Sequence, residues 1–112
     1  MTVYRVTWTR SAATELVTIA RWIAEKNPPA AARWINATER RVTTLATFPE
    51  RCPPAPEAKE TGVDVRQLVI GKRRGRYRVL FRVKDAEVQV LKIIHGMREH
   101  LTPEEVEEAG WE

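Results

Sequence analysis

The sequence is poor in the residues that build covalent and metal cross-links. It has one cysteine, Cys52, and two histidines among 112 residues. One cysteine cannot form an internal disulfide, and the thiol and the two imidazoles show no metal-ligand spacing. We therefore expect neither a disulfide nor a bound metal, and nothing in the sequence predicts a cofactor. Cys52 itself is interpreted as a thiol that does not act as a nucleophile.

Long apolar runs are also missing. No segment approaches the roughly 20 consecutive apolar residues that a membrane span needs, yet a hydrophobic content of 43% is too high for a disordered chain. The length of 112 residues fits one domain. Met1 leads directly into an alternating stretch, residues 3–8, which leaves no room for the charged and apolar parts of a secretory signal. We expect a cytoplasmic globular domain without membrane contact.

Charge is distributed unevenly along the chain. Residues 66–98 contain ten Lys or Arg and two acidic residues, whereas residues 99–112 contain six acidic residues and no Lys or Arg. A dense basic segment attracts nucleic acid or an acidic partner segment. A solvated face followed by an unrelated acidic tail explains the same pattern equally well.

Apolar periodicity predicts the secondary structure. Residues 3–8 alternate like a strand. Helical spacing then begins after Thr9 or Ser11, either of which can cap a helix, and continues to about Lys26. Two prolines separate this helix from a second one, which starts near Pro29 and extends to Phe48. The two helices are expected to form an αα-hairpin.

Three strand patterns occupy the second half of the chain, at residues 65–70, 76–83 and 87–95. The short loops 71–75 and 84–86 join them, and the proline-rich residues 49–62 are predicted to be a loop. Strands joined by short loops pair antiparallel, and the helical hairpin must bury its apolar stripe against one sheet face. The predicted fold is therefore α+β with the order β-α-α-β-β-β, in which an antiparallel sheet packs against an N-terminal helical hairpin. A short helix is predicted at residues 102–109.

Four ordered segments resemble the RelE/ParE superfamily of bacterial type II toxins, also known as plasmid stabilisation proteins. They are LATFP at 45–49, VRQL at 65–68, YRVLF at 77–81 and VLKIIHGMR at 90–98. The resemblance covers about residues 3–99, so we assign residues 1–99 to a toxin domain and residues 100–112 to an acidic tail. It implies a toxin that its antitoxin holds inactive, in an operon that the complex represses. The implied partners are the antitoxin and, through it, operator DNA.

The superfamily has two branches. Its RelE-like members cleave mRNA on the ribosome, and its ParE-like members poison DNA gyrase without that chemistry. The nuclease pattern places cations at Arg66, Arg78 and Arg98. Its second lysine falls near Leu68 and its C-terminal tyrosine near Glu104, so two groups are missing.

The ParE-like reading is therefore preferred: a gyrase inhibitor that is not an enzyme, with no catalytic residue. The alternative is a ribosome-dependent mRNA endonuclease that uses Arg66, Arg78, His95 and Arg98, in which His95 acts as the general acid or base. A second alternative is a non-toxic module that binds its antitoxin and takes part in operator repression.

The resemblance and the charge pattern together predict a basic partner-binding surface. Its residues are Arg66, Lys72, Arg73, Arg74, Arg76, Arg78, Arg82 and Arg98. Arg66, Arg78 and Arg82 are expected on one side of neighbouring strands, where guanidinium groups can clamp phosphate or carboxylate. Ordinary solvent-facing strand residues are the competing interpretation. Trp22 and Trp34 are expected to pack at the edge of the core.

Overall fold

A computed structural model describes residues 2–71 and 76–95. The element order is β1 (Arg5–Trp8), α1 (Arg10–Lys26), α2 (Pro28–Thr43), α3 (Glu57–Thr61), β2 (Arg66–Ile70), β3 (Tyr77–Lys84) and β4 (Glu87–His95). The predicted order is confirmed, with α3 as an addition. The predicted C-terminal helix and tail lie outside the described residues. No helix in the described ranges is long and apolar enough to cross a membrane.

Side-chain caps fix the helical hairpin. The Thr9 hydroxyl accepts a hydrogen bond from the Ala12 N–H at 3.1 Å and starts α1. At the end of α1 the Asn27 backbone N–H donates to the Ile23 carbonyl. At the start of α2 the Asn27 side chain accepts a hydrogen bond from the Ala30 N–H at 3.2 Å. A single residue thus joins the two helices. α2 ends at Thr43, earlier than predicted, because the chain tightens into 3₁₀ turns and Phe48 adopts a left-handed conformation (φ 51°).

The four strands form one sheet in the order β1-β4-β3-β2. β2, β3 and β4 pair antiparallel, as predicted. β1 pairs parallel with β4, with Arg5 opposite Glu87 and Trp8 opposite Val90, so the sheet is mixed rather than wholly antiparallel. Two helices connect β1 to the rest of the chain, and such a long connection does not impose the antiparallel direction that a hairpin imposes.

Apolar side chains cover both faces of the sheet. On the helical face, where α1 and α2 pack, Val79 and Phe81 of β3 are fully buried with Val42 and Leu45. On the opposite face, which we call the second face, Leu80 belongs to a smaller core under the segment that contains α3. That core comprises Ala55, Val65, Leu80, Leu91 and Ile94. The loop prediction for residues 49–62 is therefore wrong at α3.

Candidate functional site

Arg78 lies inside the fold. It is 7% exposed and donates two hydrogen bonds to the Glu57 carboxylate, to Oε1 at 3.0 Å and to Oε2 at 2.8 Å. Glu57, in α3, is fully buried, and Gln67 of β2 accepts a further bond from Arg78 at 3.1 Å. This is the bidentate fork that guanidinium and carboxylate form best. The guanidinium therefore stabilises the attachment of α3 to the sheet instead of facing a surface ligand.

Arg66 does not share a face with Arg78. It pairs in register with Phe81, whose side chain lies on the helical face, whereas Arg78 pairs with Val69. Since side chains alternate along a strand, Arg66 and Arg78 point to opposite sides of the sheet. The prediction that Arg66, Arg78 and Arg82 form one clamp is therefore wrong. Arg82 is on the side of Arg78, half-buried, and its Nε donates to Gln89 at 2.7 Å.

A polar network crosses the second face from Gln89 to β1. Glu87 accepts hydrogen bonds from Arg5 at 2.8 Å, Thr7 at 2.8 Å and Gln89 at 3.2 Å. The Arg5 hydrogen bond, followed by those from Thr7 and Gln89, holds the pKa of Glu87 below its ordinary value. These contacts tie the parallel edge strand β1 to β4.

The described nuclease candidates, Arg66, Arg78 and His95, do not lie together around one site. His95 ends β4 opposite Tyr77, and its ring stands 5.1 Å from the Tyr77 ring in an edge-to-face contact. Arg66 begins β2 at the other end of the sheet, four residues or about 13 Å along the strand from Ile70, which pairs with Tyr77. Arg78 lies near the His95 end, in register with Ile94, but its side chain is buried on the second face, opposite the side where His95 contacts Tyr77. Arg98 lies outside the described residues.

An apolar groove lies between α1 and the C-terminal half of β4. Its volume is about 490 Å³, and its lining residues are Glu15, Thr18, Ile19, Trp22, Tyr77, Ile93, Ile94 and His95. It exists because β1 pairs with β4 only as far as Val90. Beyond that point Glu15 of α1 accepts from the Ile93 N–H at 3.1 Å and pairs with Lys92 at 2.6 Å.

Trp22 stands at this α1–β4 groove and is 54% exposed. The prediction that it packs at the core edge is wrong, because its indole lines the groove and lies under the Lys26 ammonium, which is 5.0 Å from the ring centroid. Trp34 does pack at the core, where its ring contacts Tyr77 at 5.3 Å. Helical spacing alone does not separate these two tryptophans, since both lie beside the apolar stripe of their helix.

Three arginines lie within electrostatic range of Cys52: Arg41 of α2, Arg51 in the turn that follows α2, and Arg66, which begins β2. All three oppose the rise that burial causes in the pKa of the Cys52 thiol. Each guanidinium donates hydrogen bonds to backbone carbonyls. Arg41 donates to Val69 at 3.3 Å, and Arg51 donates to Thr47 at 2.8 Å and to Phe48 at 3.1 Å. Arg66 donates to Glu50 at 3.1 Å and to Cys52 at 2.8 Å. No carboxylate in the described ranges forms an ion pair with them. We call this set the arginine surface.

The remaining predicted residues are only partly described. Arg76 is exposed immediately before β3. Lys72, Arg73, Arg74 and Arg98 lie outside the described residues. Among the residues with described positions, no group of His, Cys, Asp and Glu side chains is arranged to hold a metal ion. Sequence analysis missed Arg41 and Arg51 because they precede the densely basic segment, and only the fold brings them to Arg66.

Comparisons with known proteins agree with this architecture. The family model described as the ParE toxin of the type II toxin-antitoxin system, parDE, matches residues 6–100. A solved structure, the chromosomal ParDE toxin–antitoxin system from P. aeruginosa, superposes with a TM-score of 0.68 at 24% sequence identity. That match covers 83% of this chain and 96% of the other. A search among curated proteins gave no match.

Proposed function

Because the chain belongs to the ParE toxin family of type II toxin–antitoxin systems, we propose that it acts by binding DNA gyrase and not by cutting RNA. In-line attack on a phosphodiester requires a base for the hydroxyl, cations for the charge that develops and a donor for the leaving oxygen. These groups have to surround one reacting phosphate, within hydrogen-bond reach of it.

The observation that carries this proposal is the internal pairing of Arg78. For Arg78 to stabilise a phosphate, its guanidinium would have to leave Glu57, which is fully buried. Removing one partner of a buried ion pair costs about 3–5 kcal/mol. The separation of Arg66 from His95 along the sheet supports the same conclusion, since the two would have to act on one phosphate.

A cognate antitoxin is proposed to neutralise the chain by laying an amphipathic helix in the α1–β4 groove. The groove is lined by apolar side chains, among them Ile19 and Ile93, and Trp22 stands exposed beside it. A partner that binds tightly needs an interface with an apolar centre that excludes water, and tryptophan is enriched among the residues that dominate binding energy. Operator DNA is proposed to reach the chain through the antitoxin. Arg76 and Arg82 remain proposed partner contacts.

The proposal is tested by adding the purified full chain to gyrase and relaxed plasmid, and separately to ribosomes that carry a defined mRNA. We expect inhibited supercoiling or a trapped cleavage complex, and intact mRNA. Prior addition of the antitoxin should restore supercoiling. Cleavage of the mRNA at codon-defined positions, with supercoiling unchanged, would establish the endonuclease alternative instead.

A further inference from the structure

We propose that the arginine surface, Arg41, Arg51 and Arg66, binds the phosphodiester backbone of duplex DNA directly. This goes beyond the proposed function, which brings DNA to the chain only through other proteins. Arg41 and Arg51 are exposed and Arg66 is half-buried. Arg51 and Arg66 donate to carbonyls of one short segment, residues 47–52, and Arg41 donates to Val69, three residues from Arg66 on β2. None of the three has an ion-paired carboxylate among the described residues, and such a cluster attracts a polyanion.

The guanidinium groups are already oriented. Arg66 donates through Nη1 to the Glu50 and Cys52 carbonyls, and Arg41 donates through Nη2 to the Val69 carbonyl. A guanidinium has five N–H donors, so each of these side chains retains donors for a ligand. Because the backbone holds them, less side-chain entropy is lost on binding.

Phosphate suits this surface better than a protein segment does. Stable protein interfaces have a central apolar region depleted of charge, and on this chain that description fits the α1–β4 groove. Protein–DNA interfaces are polar and strongly positive. The groove adjoins β4 near His95, whereas Arg66 begins β2 at the opposite edge and end of the sheet. A protein in the groove therefore leaves the arginine surface open.

Duplex DNA suits it better than a single strand does. Proteins hold single strands by stacking bases on exposed aromatic rings next to a basic groove. Phe48, whose carbonyl accepts from Arg51, is one exposed ring beside this surface, in a hollow with Thr2, Tyr4 and Glu50, whereas proteins that bind single strands stack successive bases on several rings. The three arginines supply phosphate contacts, which position a duplex without reading its sequence.

Binding of the purified full chain to a short mixed-sequence duplex, measured by fluorescence anisotropy over a salt series, tests the proposal. Each phosphate contact contributes about 0.9 to the slope of log affinity against log salt concentration. Arg41→Gln/Arg66→Gln should therefore lower that slope by about 1.8 and weaken binding at low salt. Arg10→Gln/Arg21→Gln, which removes the same charge from exposed sites on α1, should lose clearly less.

Because Arg66 also bonds backbone carbonyls, Arg41→Lys/Arg66→Lys is measured alongside, with a thermal unfolding curve for every variant. The lysine pair should keep most of the salt slope. Equal losses in the two glutamine pairs would overturn the proposal. Tighter binding to a single strand, or to a polyglutamate peptide with the same arginine dependence, would also overturn it and assign the surface to that partner.

Discussion

Arg78 illustrates how one contact changes the interpretation of a residue. By sequence it is a strand arginine in a basic segment and a candidate for phosphate binding. In the structure it forms an ion pair with Glu57, which lies in α3, a five-residue helix in the proline-rich segment. No pattern in the sequence links positions 57 and 78, because the pairing depends on how the segment between α2 and β2 folds over the second face. The strand itself was predictable and the environment of its arginine was not.

Replacing Glu57 with glutamine should destabilise the fold strongly. The change removes the buried carboxylate charge that pairs with Arg78, and the expected loss in the free energy of unfolding is about 3–5 kcal/mol. Glu39→Gln, on the exposed side of α2, is the matched control and should change it by less than about 0.5 kcal/mol. Denaturant unfolding of both variants provides the measurement. A loss below about 1 kcal/mol for Glu57→Gln would contradict the assigned pairing.

The lowered pKa of Glu87 predicts that the free energy of unfolding depends on pH. Its folded-state pKa lies below the ordinary value of 4.5 because of the hydrogen bonds from Arg5, Thr7 and Gln89. A carboxylate with a lowered pKa contributes stability that is present above its unfolded pKa and lost as pH falls through the folded pKa. The difference in unfolding free energy between the unmodified chain and Glu87→Gln should therefore be constant near neutral pH and shrink as the pH falls below 4.5, the ordinary pKa, toward the lowered folded-state pKa. A difference that does not vary between neutral and acidic pH would refute this.

At the scale of elements, periodicity identified both long helices and all four strands, because each buries one regular face against the core. It did not give the direction of β1, since an alternating strand has the same pattern whichever way it pairs. It also missed α3, which is too short to show a helical period. The α1–β4 groove escaped prediction for a related reason, because it depends on where β1 stops pairing with β4.

A substitution at Trp22 tests whether the antitoxin binds in the α1–β4 groove. Trp22→Ala should weaken binding of the cognate antitoxin by about 2 kcal/mol or more while leaving the unfolding curve nearly unchanged, because the side chain is 54% exposed. Trp34→Ala, which removes a ring packed against Tyr77, should instead destabilise the fold by about 3–5 kcal/mol. Titration calorimetry and thermal unfolding distinguish the two. Unchanged antitoxin affinity in Trp22→Ala would place the antitoxin elsewhere.

In the whole molecule, basic residues that are close together in the sequence lie at different places in the fold. The basic segment that begins at Arg66 looks like one surface by sequence, but Arg78 is internal and Arg82 belongs to the second-face network. Arg66 lies near Arg51 and Arg41, since Arg51 and Arg66 donate to carbonyls of residues 47–52 and Arg41 donates to β2. The chain thereby acquires two distinct surfaces, the α1–β4 groove, which we propose binds a protein, and the arginine surface, which we propose binds phosphate. A basic stretch in a sequence predicts attraction to anions, and its location depends on tertiary structure.

The most direct test of gyrase as the target, with RNA left intact, is to induce this chain alone in bacterial cells and map DNA damage and mRNA ends in the same culture. We expect the DNA-damage response to rise while mRNA 5′ ends stay as in uninduced cells, and co-expression of the antitoxin to abolish the rise. New mRNA ends at codon-defined positions without a DNA-damage response would contradict gyrase as the target.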